Sequence, residues 1–293
     1  MMENVSNGHI ITNGHIIKRK KKASDKASDK AMPSDKVMPS DKAMPSYKVM
    51  PSDKPSDKAS DKAALNKYFN ENNSIIEIGV DEAGRGPMLG RVYTAAVVLP
   101  KDDSFHHYLM KDSKKFHSVK KMKEAAEYIK ANALYWHVAY ADEVVVDTIN
   151  IRNATHKAMH EAIRAVIDKQ QNTSAEQTQP QTQTIHLLID GNDFKPLMVV
   201  KEDMMLVQIP HTCIEGGDNL YTAIAAASIL AKYERDTYIG ELCAKEPLLN
   251  EYYGLLKNKG YGTKIHMDGI KKYGISQYHR KTFGICSHAL LYT

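Results

Sequence analysis

The chain has little of what marks a secreted or membrane protein. Its 293 residues include three cysteines, Cys213, Cys243 and Cys286. They are odd in number and far apart, so they make neither a disulfide framework nor a zinc pattern. A reducing compartment is expected, with the thiols as core or surface filler. No apolar run approaches the length that spans a bilayer. The N-terminus is polar, and no secretory leader is expected there. A charge excess is also missing from most of the chain. The net charge of +5 sits in residues 1–66, which hold 13 basic and 8 acidic residues, while the remaining 27 basic and 27 acidic residues cancel. A catalytic domain that is basic overall is not supported, and charge has to be read locally. The apolar content of 42% is enough for a core in one large domain or two.

Composition changes sharply along the chain. Residues 1–66 begin with the near-repeat Asn7-Gly8-His9-Ile10-Ile11 and Asn13-Gly14-His15-Ile16-Ile17. The basic run Lys18-Arg19-Lys20-Lys21-Lys22 follows, then Ser-Asp-Lys units repeat to about Lys62. Short polar repeats with proline cannot bury enough apolar surface to offset chain entropy, so a disordered, low-complexity tail is expected over 1–66. The catalytic domain is expected over 67–293. The basic run is either a solvated charge block or a localisation or nucleic-acid patch. Cytoplasmic location is expected, or nuclear location if that run acts as a signal.

The folded part reads as alternating strands and helices. Ile75–Val80 and Val92–Leu99 are apolar strand runs, joined by a glycine-rich hairpin connection over Gly84–Gly90. Val119–Ala131 and Asn153–Asp168 have helical periodicity, and Leu134–Ala141 alternates as a half-buried strand does. Gln170–Thr184 is expected as a surface loop. Ile185–Ile189 is a short apolar strand, and Leu206–Ile209 a further one. Leu220–Leu242 reads as a long alanine-rich helix, and Lys264–Tyr273 as a short one. The order implies an α/β fold, with a mixed sheet flanked by helices and a helical C-terminal part.

Acidic residues stand where strands end. Asp81 and Glu82 close the first apolar run, Asp190 closes the run Leu187-Leu188-Ile189, and Asp218 lies at the start of the alanine-rich helix. A bare buried carboxylate is costly, so such groups are paired, protonated or bound to metal. If the four converge at one sheet edge, their repulsion calls for cations, and hard oxygen ligands favour Mg²⁺ or Mn²⁺. Two such ions about 4 Å apart suit phosphodiester hydrolysis. Blander readings remain for two of them. Asp218 could be a helix N-cap and Asp190 a turn residue. Gly84-Arg85-Gly86 either brings backbone amides and a forked guanidinium to a phosphate or is a tight hairpin with a solvated arginine. Asp112-Ser113-Lys114-Lys115 offers phosphate contacts or merely a solvated loop, and Ser118 could N-cap the next helix. Lys232 either contacts phosphate or pairs with Asp236 one turn on. Between Lys257 and Lys281 basic residues outnumber acidic ones, with Tyr252, Tyr253, Tyr261, Tyr273 and Tyr278 interleaved. Such a stretch is either a nucleic-acid surface or a solvated helix with tyrosines packed on the core.

Taken in order, Gly79–Pro87, Asp112–Lys115, Asn150–Met159, Leu188–Gly191, Gly216–Asp236 and Lys259–Phe283 closely resemble ribonuclease HII, in its bacterial single-chain form. The resemblance spans about residues 75–285. It implies a ribonuclease H-like mixed sheet flanked by helices. It implies Asp81, Glu82, Asp190 and Asp218 as catalytic metal ligands for Mn²⁺ or Mg²⁺ in a two-metal site, with Asp81 bridging the two ions. It implies Gly84, Arg85, Gly86 and Tyr261 as readers of a ribonucleotide 2′-OH, the group that separates RNA from DNA. Lys114 and Lys232 are implied phosphate contacts. The implied substrates are RNA–DNA hybrids and duplex DNA containing ribonucleotides, cut by a monomer without membrane or partner subunits. An inactive nucleic-acid-binding scaffold and a DNA-directed nuclease of the same fold are the competing readings. Arg91 departs from the family pattern, which has a small residue or proline there, and is expected to alter the packing of the hairpin.

Overall fold

The computed structural model describes residues 64–111, 113, 116, 118–175, 184–200 and 204–291. The expected tail lies outside the described residues except for its last three positions, as do Asp112, Lys114 and Lys115. Strand β1 (Ile75–Ala83) and strand β2 (Val92–Val98) pair antiparallel across the expected hairpin connection. Helix α1 (Val119–Asn132) leads into β3 (Tyr135–Ala141), which pairs antiparallel with β2. Helix α2 (Glu143–Ala175) crosses to β4 (Thr184–Asp190), which lies parallel to β1. A small antiparallel pair, β5 (Met198–Val200) and β6 (Leu206–Gln208), precedes β7 (His211–Ile214), which lies parallel to β4. The five-stranded sheet therefore runs β3-β2-β1-β4-β7. Helix α3 (Thr222–Lys245) and the short helices α4 (Pro247–Tyr253), α5 (Leu255–Asn258) and α6 (Lys264–Tyr273) complete the chain.

Each face of the sheet is covered, which is why β1 and β2 are apolar on both sides. Ala95 and Val97 pack with Ala126 and Ile129 of α1 and Ala226 and Leu230 of α3. On the other face Ile78, Val80 and Ala96 pack with Ala162, Ile163 and Val166 of α2. The alanine-rich run lets α3 lie almost on the strand backbone. A Cβ at Gly79 would stand 2.2 Å from the carbonyl carbon of Ala223, so no larger residue fits there. A third cluster joins Met88 and Leu89 of the hairpin connection to Ile239, Tyr253 and Ile270.

Several expectations need correcting. Helix α2 begins ten residues before the expected Asn153 and continues through Gln170–Ala175, where a loop was expected. Asn150, at φ 64 and ψ 162, kinks it, and its Oδ1 accepts from the Asn153 amide to start the second half. Ser118 sits at the N-cap of α1 but makes no capping bond. Asp218 is not an N-cap either, because Tyr221 holds that position on α3. The alternation expected in β3 is weak, since helices pack against both of its faces. Arg91 lies with its guanidinium 4.0 Å from the ring centre of Tyr140 on β3 and 4.5 Å from that of Tyr238 on α3. The three cysteines are free, two of them buried, as filler should be.

Candidate active site at the sheet edge

The register of β1 and β4 brings two of the acidic residues together. Val80 pairs with Ile189, so the next positions, Asp81 and Asp190, are level on adjacent parallel strands. Asp81 shares the face of Gly79, the side on which α3 lies, and is 5% exposed. Its Oδ1 accepts from the Glu82 amide at 2.6 Å. Burial, then the Glu82 and Asp190 carboxylates, push the Asp81 carboxyl well above the usual carboxylate range, against hydrogen bonds from Ser228 and the Glu82 amide. Ser228, on α3, shares a 2.9 Å hydrogen bond with Ser113. This relay ties Ser113 to Asp81, a link the sequence gives no signal for.

Asp190 ends β4, and its Oδ1 accepts from the Asp218 amide at 3.4 Å. Asp218 lies in a single 3₁₀ turn, Gly217–Asn219, is 3% exposed, and accepts from Asn219 Nδ2 at 2.9 Å. The fold thus places Asp190 beside both Asp81 and the turn that carries Asp218. Glu82 lies next to Asp81, and its Oε1 is 3.4 Å from Arg85 Nη1. Among the described residues no group of three or more His, Cys, Asp or Glu side chains is gathered as a metal cage. The donor chemistry nevertheless fits a hard divalent cation. The donors are all carboxylates, and the buried Asp81 charge is opposed by its neighbours in a way a cation would offset.

The Gly84-Arg85-Gly86 turn follows β1 directly. Gly84 has φ +98, and a Cβ there would stand 2.2 Å from Nε of the buried Arg235. A Cβ at Gly86 would meet Tyr261 Cε1 at 3.3 Å, so the turn and the tyrosine face each other. Tyr261 is 50% exposed. The segment from Pro87 to Gly90 is fastened to the C-terminal part, with the Met88 amide on the Gly260 carbonyl at 2.8 Å and the Gly90 amide on that of Tyr278 at 2.8 Å.

Other expected contacts fare differently. Lys232 pairs with Asp236 one turn along α3, as the blander reading holds. Lys114 lies outside the described residues. Within the basic stretch, Lys257, Lys264, Lys271, Lys272 and Lys281 are exposed, but Arg280 is fully buried. Tyr253 is buried too, and Tyr252 stacks on Tyr273 at 3.9 Å between ring centres. Of the five tyrosines only Tyr261 is exposed. A cavity of about 760 Å³, lined by His156, His160, Arg164 and Lys195, includes none of the four acidic residues.

Residues 78–286 match the family model for ribonuclease HII. The ribonuclease HII of Parabacteroides distasonis is 41% identical over 215 residues, covering 73% of this chain and 93% of that protein. That of Bacteroides fragilis is 42% identical over 214 residues, covering 73% of this chain and 92% of the relative. Among solved structures, the ribonuclease H2 of Pyrococcus horikoshii superposes with a TM-score of 0.52 at 19% identity, covering 72% of this chain and 95% of that one. The ribonuclease HII of Archaeoglobus fulgidus, solved as a complex with PCNA, gives 0.51 at 21% identity, covering 71% and 95%. These two share the fold.

Proposed function

The chain belongs to the ribonuclease HII family and is a ribonuclease H-type endonuclease; from that premise we propose that it is metal-dependent and cuts the RNA strand of RNA–DNA hybrids. It also incises on the 5′ side of single ribonucleotides embedded in duplex DNA. The ends left are 5′-phosphate and 3′-hydroxyl. The observation that carries this reading is the placement of Asp81 level with Asp190, beside a glycine turn that faces Tyr261.

Asp81, Glu82, Asp190 and Asp218 would hold Mn²⁺ or Mg²⁺. Once bound, the ions supply charge stabilisation at the phosphoryl group and lower the pKa of the attacking water. The protein's own residues do the rest. The Gly84-Arg85-Gly86 backbone and Tyr261 read the ribose hydroxyl, so the cut falls where RNA meets DNA. Lys114 and Lys232 hold flanking phosphates, Lys232 sharing its charge with Asp236. Exposed lysines of the C-terminal part add contacts to the duplex backbone. The enzyme works as a monomer in the cytoplasm, and among the described residues no helix is long and apolar enough to cross a membrane.

The test is Asp190→Asn in the full chain, with incision of a hybrid measured in Mn²⁺ and in Mg²⁺, and after chelation. Loss of even an outer-shell partner of a metal ligand costs about 10–100-fold, so a ligand itself should cost at least about 100-fold. Incision at the unaltered rate, or incision that survives chelation, refutes the metal assignment.

A further inference from the structure

Arg280 is among the largest fully buried side chains of the fold, and the carboxylates that act on it are those of Glu143 and Asp147. It spends its donors on carbonyls of the hairpin connection. Nη2 donates to Gly84 O at 2.7 Å, Nη1 to Arg85 O at 2.9 Å and Pro87 O at 2.8 Å, and Nε to Gly90 O at 2.8 Å. Every peptide bond described is trans. In a trans peptide the C=O of one residue and the N–H of the next point in opposite directions. With the carbonyls of Gly84 and Arg85 drawn inward, the amides of Arg85 and Gly86 are turned outward. Neither has a backbone acceptor among the described residues, and both residues are exposed. Arg235, also buried, lies under Gly84 and donates from Nη2 to the Lys259 carbonyl at 2.7 Å. Two buried guanidinium groups therefore sit beneath a pair of outward amides.

The residue before Arg280 serves the opposite wall. The Ser276 amide donates to His279 Nδ1 at 2.9 Å, which makes that nitrogen an acceptor and leaves the proton on Nε2. His279 Nε2 then donates to His266 Nε2 at 3.0 Å. His266 in turn carries its proton on Nδ1 and donates to the Tyr261 carbonyl at 3.0 Å. The hydrogen bonds run in one direction, end on the backbone of Tyr261, and require both rings to be neutral. His266 and His279 are fully buried, with the Tyr253 ring edge-on to His279 at 4.7 Å.

We propose that Arg280 and His279 are the positioning residues of the ribose reader, Arg280 presetting the Arg85 and Gly86 amides and His279, through His266, presetting Tyr261. The proposal rests on the reading of Gly84–Gly86 and Tyr261 as that reader. Neither side chain touches substrate. Their effect is to have the amides and the ring already aimed when a 2′-hydroxyl arrives, so that no binding energy goes into ordering the turn.

The test is R280K in the full chain, which keeps the charge but loses the fork. Incision of a duplex with one embedded ribonucleotide gives kcat/KM, and inhibition by the all-DNA duplex of the same sequence gives Ki. Wild-type incision establishes the underlying reading by itself. For R280K, kcat/KM should fall about tenfold or more, as misplacement near the reacting group does, while Ki for the all-DNA duplex stays as in wild type; the carbonyls left unpaired lower the melting temperature, and a melt that is still cooperative shows that the variant folds. An unchanged kcat/KM, or equal losses in kcat/KM and Ki, overturns the proposal. If R280K does not fold, H266Q decides the matter with Arg280 in place. The same split between the two substrates is expected, and an unchanged kcat/KM overturns the proposal.

Discussion

Lowering the pH from about 7 to about 5 should destabilise the fold through His279. Burial, and next the His266 ring, push this imidazole from 6.5 down to about 3, against the pull of the Ser276 backbone. The unfolded chain takes up the proton near 6.5, the folded one only near 3. Between those values the unfolded state binds more protons, so stability is full above 6.5 and is lost as the pH falls. Integrated from pH 7 to pH 5, the difference in proton affinity is worth about 2 kcal/mol. For a domain of this size that is a drop in Tm of about 4–8 °C. His266 is displaced in the same direction by burial and adds to the effect. His107, His137, His156, His160 and His186 are also lowered by burial, so the wild-type slope alone does not isolate the pair. The comparison is therefore urea unfolding of wild type and H279Q at both pH values, where the other histidines cancel. Wild type should lose about 2 kcal/mol more than H279Q between pH 7 and pH 5. Equal losses in the two proteins would refute the buried, neutral pair.

Three further outcomes are expected. Gly79→Ala places a Cβ 2.2 Å from the Ala223 carbonyl carbon; overpacking of about 1–3 kcal/mol or more should lower the urea midpoint and, by parting β1 from α3, the incision rate. Gly86→Ala has no backbone conflict but crowds Tyr261 Cε1 at 3.3 Å; it should melt like wild type and yet raise KM for a single-ribonucleotide duplex, and an unchanged KM would separate Gly86 from the reader. Deletion of residues 1–62 should change kcat/KM by less than about tenfold, or about 1.4 kcal/mol of barrier, and a larger loss would give the tail a part in substrate engagement.

Much of the fold is legible in the sequence because β1, β2 and β4 are short apolar runs with abrupt polar ends, as strands covered on both faces must be. Helix α6 keeps the expected limits because Thr263 caps it and Gly274 stops it. The end of α2 is harder to see. Gln and Lys are adequate helix formers, but a polar run with no apolar stripe reads equally well as loop. Strand β7 escapes notice because its four half-buried residues, His211–Ile214, carry no alternation. The level placement of Asp81 and Asp190 follows from two runs of similar length that end in Asp, once they lie parallel. Asp218 looks like a cap in sequence because Gly216-Gly217 hides the extra 3₁₀ turn before α3. Arg280 is the largest miss. In sequence it is one more cation in a basic stretch, and only the carbonyls turned toward it show that its charge is spent inside the protein.

The central claim is that the carboxylates Asp81, Glu82, Asp190 and Asp218 and a glycine turn facing Tyr261 act together on one ribonucleotide. The most direct measurement is incision of a DNA duplex containing a single ribonucleotide, with Mn²⁺ or Mg²⁺, beside the all-DNA duplex of the same sequence. The account predicts a single cut on the 5′ side of the ribonucleotide, with 5′-phosphate and 3′-hydroxyl ends, and no cut in the all-DNA duplex. No incision with either metal, or equal cutting of both duplexes, would contradict it.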